Sequence, residues 1–164
     1  MSYEGGDYQP TAFGYLYQGE QENDADTPGG LILAYNAAAT LLIGDVVFIS
    51  AAFAVNKNNT PASYQKFAGV VVGGFRTDYR VLQDDGAVGL QAALVNEVVL
   101  VGYLGKFKVI ADAAIAAAGQ LTQGATTAGR VDDSASATQG QIIGIALEAA
   151  ANAGDKILAL INHR

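Results

Sequence analysis

Val98-Val-Leu-Val-Gly-Tyr-Leu-Gly-Lys-Phe-Lys-Val-Ile110 is the stretch whose reading decides the fold class. It is rich in Val, Leu, Tyr, Phe and Ile, which suit a pleated, half-buried surface. Gly102 and Gly105 interrupt it. The pattern predicts two short strands, Val98–Tyr103 and Lys106–Ile110, with a hairpin bracketed by the two glycines.

The same grammar continues in both directions. Candidate strands are Leu31–Tyr35, Val46–Ser50, Gly69–Val72, Tyr79–Leu82, Ile142–Leu147 and Lys156–Ile161. Their lengths are those of ordinary strands. Pro10, Pro28 and Pro61 fall only in expected loops, as a ladder of backbone hydrogen bonds requires. Two stretches read as short helical turns: Ala111–Ala118, closed by Gly119, and Glu148–Asn152 before Gly154. The expected fold is mainly β: a compact antiparallel sandwich or barrel-like body with one or two short helical turns and an extended N-terminal arm. A faint repeat runs through it. The interval from Gly44-Asp-Val-Val47 to Gly69-Val-Val-Val72 equals the interval from Gly119-Gln-Leu-Thr122 to Gly144-Ile-Ala-Leu147.

At 164 residues the chain has room for one domain and an arm. Residues 1–29 are rich in Tyr, Gly, Gln and acids and form the arm; residues 30–164 form a single β-rich domain. Net charge is −7, all of it in residues 1–56, which hold seven acids and no base. Nucleic-acid binding, which needs a basic stripe, is excluded by that sign. The acidic part is either a solvated segment or an arm that docks on a basic partner surface. Tyr3, Tyr8, Phe13, Tyr15 and Tyr17 give the arm amphipathic rings of the kind enriched at interfaces and make it the candidate contact segment, with Phe13–Tyr17 as a short strand.

No chemistry-bearing constellation stands out. There is no cysteine, and the one histidine is His163. Gly102-Tyr-Leu-Gly105-Lys106-Phe107 fails as a phosphate loop, lacking the upstream glycine and having Phe107 where Ser or Thr is needed. The run Glu20, Glu22, Asp24, Asp26 lacks the glycine and the terminal glutamate of a calcium loop. The acid pairs Asp84-Asp85 and Asp132-Asp133 read as turn or solvated acids. Asn58-Asn59-Thr60 fits a glycosylation acceptor in a chain that begins with no secretory signal. No apolar run reaches the ~18 residues of a membrane helix. The expectation is a soluble protein made in a cytoplasm, with no catalytic residue, cofactor, metal or membrane partner.

The C-terminal third carries a resemblance. Val99–Gly102 with Lys106-Phe-Lys-Val109, Ala113-Ala-Ile-Ala-Ala-Ala-Gly119-Gln120, Ala128-Gly-Arg-Val131, Ile142-Ile-Gly-Ile-Ala-Leu-Glu-Ala-Ala150 and Gly154-Asp-Lys-Ile157 follow one another in order. Together with Gly44-Asp-Val-Val47 and Ala68-Gly-Val-Val-Val72, this order resembles the small capsid cement, or decoration, proteins of tailed bacteriophages, over about residues 40–162. The chain departs from that pattern in residues 1–35 and in the loop Asn56–Lys66. The resemblance implies a structural virion protein on the outer surface of an expanded icosahedral capsid, made in the host cytoplasm. Its partners would be the major capsid protein, whose neighbouring subunits it clamps together, and itself, as a homo-oligomer, usually a trimer. A competing reading is a β-rich adhesin or receptor-binding head or tail module that binds carbohydrate, although the chain has no Trp for a sugar platform.

Overall fold

The computed structural model describes residues 9–11, 14–16, 29–57, 66–75, 81–82, 91–133 and 142–162. These form strands β1 (Gln9–Thr11), β2 (Gly14–Leu16), β3 (Gly29–Ala37), β4 (Leu41–Leu42), β5 (Val46–Ala51), β6 (Ala54–Asn56), β7 (Phe67–Phe75), β8 (Val81–Leu82), β9 (Gln91–Ala93), β10 (Val98–Ile110), β11 (Gln120–Gln123), β12 (Val131–Asp133), β13 (Gly144–Ala146) and β14 (Lys156–Asn162). Among the described residues there is no α-helix, and so none long and apolar enough to cross a membrane.

Strands β3 and β10 form an antiparallel spine. At its upper end Val98–Gly102 of β10 pairs with β3 on one edge and β7 on the other. Strand β7 passes to β5, β5 to β6, and β6 returns to β3 in parallel through Asn36↔Ala54 and Ala37↔Val55. The five strands β3-β6-β5-β7-β10 therefore close into a small barrel. At the lower end Leu104–Ile110 pairs with β14, and the sheet runs on through β13 and β11 to β12. On the other side β3 carries β2 and then β1. Part of segment 1–29 thus lies on the body's own sheet.

Two cores follow from this arrangement. One draws on all five barrel strands, with Ala37, Val47, Val55, Val71, Val99 and Val101 among its members. The other lies between the opposite faces of β5 and β7 and the lower sheet; Val46, Phe48, Val70, Phe107, Leu121 and Ile161 belong to it. Strands β5 and β7 are buried on both faces, which is why they read as continuous valine runs rather than an alternation.

The structure corrects the reading of Val98–Ile110, which is one 13-residue strand and not a hairpin. Gly102 and Gly105 do not turn the chain. The register with β3 slips between Gly102 and Leu104, so Tyr103 is an extra residue in a bulge, and the strand bends there. The bend brings the Phe107 ring back against Gly102 and Gly30, where a Cβ would collide with it. The glycines thus make room for a ring.

The two expected helical turns are also corrected. Ala111–Ala118 contains two β-bridges, Ala111↔Val131 and Ile115↔Ala150, and the second involves the other alanine stretch. Ile115 and Ala150 exchange both backbone hydrogen bonds at 2.9 Å. A helix of two turns is marginal by itself. Burying Ala111 and Ile115 in the lower core outweighs the alanine propensity.

Candidate interaction surfaces

Strands β10, β11, β13 and β14 together carry three lysines and no carboxylate. Alternation along a strand sends every second side chain to one face. The register Lys106↔Leu160, Lys108↔Leu158 and Ile110↔Lys156 therefore places Lys106, Lys108 and Lys156 on the same face. This face is opposite the one that gives Phe107, Val109, Ala159 and Ile161 to the lower core. Cross-strand pairing extends it: Leu160 is opposite Ile145, and Ile145 is opposite Gln120. Leu104, Ile145, Leu147 and Leu160 remain 37–43% exposed. Leu158 and Ile110 on the same face are buried within the chain, so its exposed part is Leu104, Ile145, Leu147 and Leu160 near the lysines, in a chain whose net charge is −7.

A second apolar group lies at the upper end of the barrel. The turn from β5 to β6 puts Phe53 in the left-handed region with its side chain 80% exposed. Its carbonyl accepts a hydrogen bond from Asn36 N–H at 2.8 Å, and Asn36 is also opposite Val98. The turn before β10 adds exposed Leu94 and Val95.

Among the described residues the charged side chain most removed from solvent is that of Asp45, 2% exposed just before β5. Its carboxylate accepts a hydrogen bond from Leu42 N–H at 2.8 Å and lies 3.6 Å from Lys57 Nζ. Gly129, packed on the same carboxylate, passes its carbonyl to Val46 N–H at 2.7 Å, so Asp45 sits where the barrel meets the β11–β12 connection. Burial raises its pKa above the ordinary carboxylate value, against the opposing pull of Leu42 N–H, Lys57 and Arg130. A lone carboxylate already held by an amide and an ammonium is a structural clamp; among the described residues no group of three metal-ligating side chains includes it. Burial, with Tyr103 nearby, also raises the Tyr35 pKa.

Of the contact candidates, Tyr3, Tyr8, Phe13 and Tyr17 lie outside the described residues. Tyr15 is on β2, its backbone opposite Pro10 and Ile32, so this strand is already paired on both edges within its own sheet. Asp84-Asp85, Glu20–Asp26, Asn58-Asn59-Thr60 and His163 also lie outside the described residues. Asp132 and Asp133 are on β12, the last strand of the sheet. The segment Gly102–Phe107 is mid-strand, which leaves no loop to cradle a phosphate. Sequence reasoning missed the lysine face, although Leu104-Gly-Lys-Phe-Lys alternates with the period of a strand. It also missed Phe53, which no periodicity marks.

No protein-family model matches the chain, and no curated protein matches it. Among solved structures, one similar fold is the N base of the head fibre gp8.5 of bacteriophage phi29. The identity is 15% and the TM-score 0.49, over 80% of this chain and 92% of that one.

Proposed function

We propose that this chain is a structural virion protein of a tailed bacteriophage, with no catalytic activity and no cofactor. It binds the outside of the expanded icosahedral capsid and clamps neighbouring major capsid subunits together, acting as a homo-oligomer, a trimer. The observation that carries the reading is the face of β10, β14 and β13, where exposed Leu104, Ile145 and Leu160 lie near lysines on strands that are hydrogen-bonded on both edges. Rigid paired strands hold such a surface ready without an ordering cost at binding. The order of motifs over residues 40–162 supports the same reading through its resemblance to cement proteins. Tyr3, Tyr8, Phe13, Tyr15 and Tyr17 are the candidate shell contacts. Repetition over a shell turns weak single contacts into firm attachment.

Co-sedimentation with expanded and unexpanded empty capsids tests this. Saturable binding to the expanded form alone, at a multiple of three copies per facet, is the expected result. Absence of binding to either form by folded protein would overturn the reading and direct attention to a glycan screen.

A further inference from the structure

At the upper end of the barrel, residues 34–40, 51–56 and 93–98 come together and hold one charged residue, Glu97. Glu97 is 6% exposed, and its carboxylate accepts a hydrogen bond from Leu94 N–H at 2.7 Å, so its charge is turned away from solvent. Among the described residues, the large side chains that face outward there are Phe53, Leu94, Val95 and Val98, around the neutral Asn36. We propose that this end meets the same end of a second copy of this chain, with Phe53 of one copy packed on Leu94 and Val95 of the next. The proposal rests on the reading above of the chain as a homo-oligomer. It gives the contact between copies a surface of its own, apart from the face of β10, β14 and β13 offered to the shell.

Topology places the two halves of the contact on opposite flanks of one strand. Asn36 of β3 is opposite Ala54 of β6 on one edge and Val98 of β10 on the other. On the first edge Asn36 N–H holds the Phe53 carbonyl. On the second, Ala37 N–H donates to the Glu97 carbonyl at 2.9 Å, and the Ala37 carbonyl accepts from Asn96 N–H at 2.8 Å. Phe53 thus stands on one side of the end of β3 and the Leu94–Val95 turn on the other. Ala54 and Val98 are two strand spacings, about 10 Å, apart. Both groups stay exposed within one copy. A ring on one flank and an aliphatic pair on the other suit a heterologous contact, which closes into a ring of copies when the rotation between them permits. Charge selects a second copy as the occupant. Chains of net charge −7 repel one another, and two copies approach at least cost where neither shows a charge. Because the contact forms between folded copies, it leaves Phe53 exposed in the dissociated chain and adds nothing to that chain's own unfolding free energy.

The test is the self-association constant of the full chain, by sedimentation equilibrium without capsids, with circular dichroism as the folding control. Phe53→Asn removes the ring and keeps a residue that tolerates the left-handed region. It is expected to weaken association at least about tenfold. Leu94→Asn with Val95→Asn should do the same from the other flank. Mixing the two variants tests the pairing of flanks. The first keeps Leu94 and Val95 and the second keeps Phe53, so each mixed pair regains one intact contact, and heterodimers should form with a pairwise affinity within about threefold of wild type. Ile145→Thr with Leu160→Thr, on the lower face, should leave association unchanged. Association untouched by either upper-end variant, or a mixture that stays dissociated, overturns the assignment. So does a wild-type chain that is monomeric at every concentration. A Phe53→Asn protein that associates normally and no longer binds expanded capsids would give this end to the shell instead. Capsid binding is otherwise scored separately: a ring of copies that forms as described and does not bind shells refutes the proposed function while this contact stands.

Discussion

In the barrel, β5 is flanked by β6 and β7, and β7 passes to β10; in the lower sheet, β11 is flanked by β12 and β13, and β13 passes to β14. Read outward from the β10–β14 pair, the two halves have the same strand order. The stretch of chain between β6 and β7 is as long as the one between β12 and β13. A single offset carries Val46 to Leu121, Phe48 to Gln123 and Gly69 to Gly144, although the registers of the two inner pairs differ by one. The halves part at their outer strands. Ala54-Val55-Asn56 of β6 is joined by β3 and closes a barrel, whereas Val131-Asp132-Asp133 of β12 ends the sheet. Acids on an end strand discourage further pairing. The difference teaches that closure is not a property of the repeated unit; it depends on a third strand that only one unit receives.

Gly69 and Gly144 give the largest expected effects and the most direct way to break the comparison. Each lies near the start of the third strand of its unit, and at each a Cβ would run into a backbone carbonyl of the next strand in the sheet: Gly102 O for Gly69, Leu160 O for Gly144. Backbone cannot yield as a side-chain tip can. Gly69 also has φ +146° and would place its Cβ 2.8 Å from Val101 Cγ1. Gly69→Ala is expected to cost about 3 kcal/mol or more, and Gly144→Ala about 1–3 kcal/mol. Urea unfolding of both variants measures this. A Gly144→Ala protein as stable as wild type would show that the two glycines are not equivalent.

Gln123 is the next largest. Its amide is buried and neither its nitrogen nor its oxygen has a hydrogen-bond partner, whereas Phe48, its counterpart in the first unit, packs in the lower core. A buried polar group without a partner costs about 1–3 kcal/mol. Gln123→Leu should recover much of that as added stability and bring the second unit closer to the first. A loss of stability instead would mean that the amide is satisfied by buried water.

Asp45 sharpens the contrast through pH, since its counterpart in the second unit, at the same offset, is the exposed Gln120. The folded state holds the Asp45 pKa above the ordinary carboxylate value. Between those two values the folded state binds more protons than the unfolded one, so this group's contribution to stability grows as pH falls from neutral through the folded pKa. It is complete near the ordinary value of about 3.9. Ordinary acid destabilisation has the opposite sign. Asp45→Asn should remove this component, so the difference in stability between wild type and variant should shift in favour of wild type on acidification. The effect is moderated because Leu42 N–H and Lys57 already stabilise the anion. A pH-independent difference between the two proteins would refute the assignment.

The legible part of this fold is the part that local residue chemistry dictates. Valine runs and turn glycines locate β5, β7, β13 and β14 to within a few residues. Long-range effects are not legible in the same way. Nothing local in Gly102-Tyr-Leu-Gly105 tells a turn from a bulge; the Phe107 ring folding back on Gly102 and Gly30 decides it. The parallel return of β6 to β3 joins segments with no shared pattern. Asp45 reads as one more acid of the acidic half, because sequence gives charge and not burial. For the candidate surface, the arm's aromatics are visible as residue types, while the lysine face needs the registers of β10, β14 and β13 before its members come together.

The smallest expected effect concerns the turn between the first two strands of each unit. The second unit has Gly129 in the left-handed region, where glycine is at ease; the first has Phe53 at φ 57° in a two-residue turn. A bulky residue there costs roughly 1–2 kcal/mol. Gly would remove that strain, but it adds about 0.5–1 kcal/mol of unfolded-chain entropy to be lost on folding. The ring is 80% exposed, so its removal forfeits little burial, and the Asn36 hydrogen bond is to the Phe53 backbone and survives. Phe53→Gly should therefore lie within about 1 kcal/mol of wild type, on the stabilising side if strain outweighs chain entropy. A loss of more than about 2 kcal/mol in urea unfolding would mean that the ring is packed in the folded protein, which would set the first turn apart from the second.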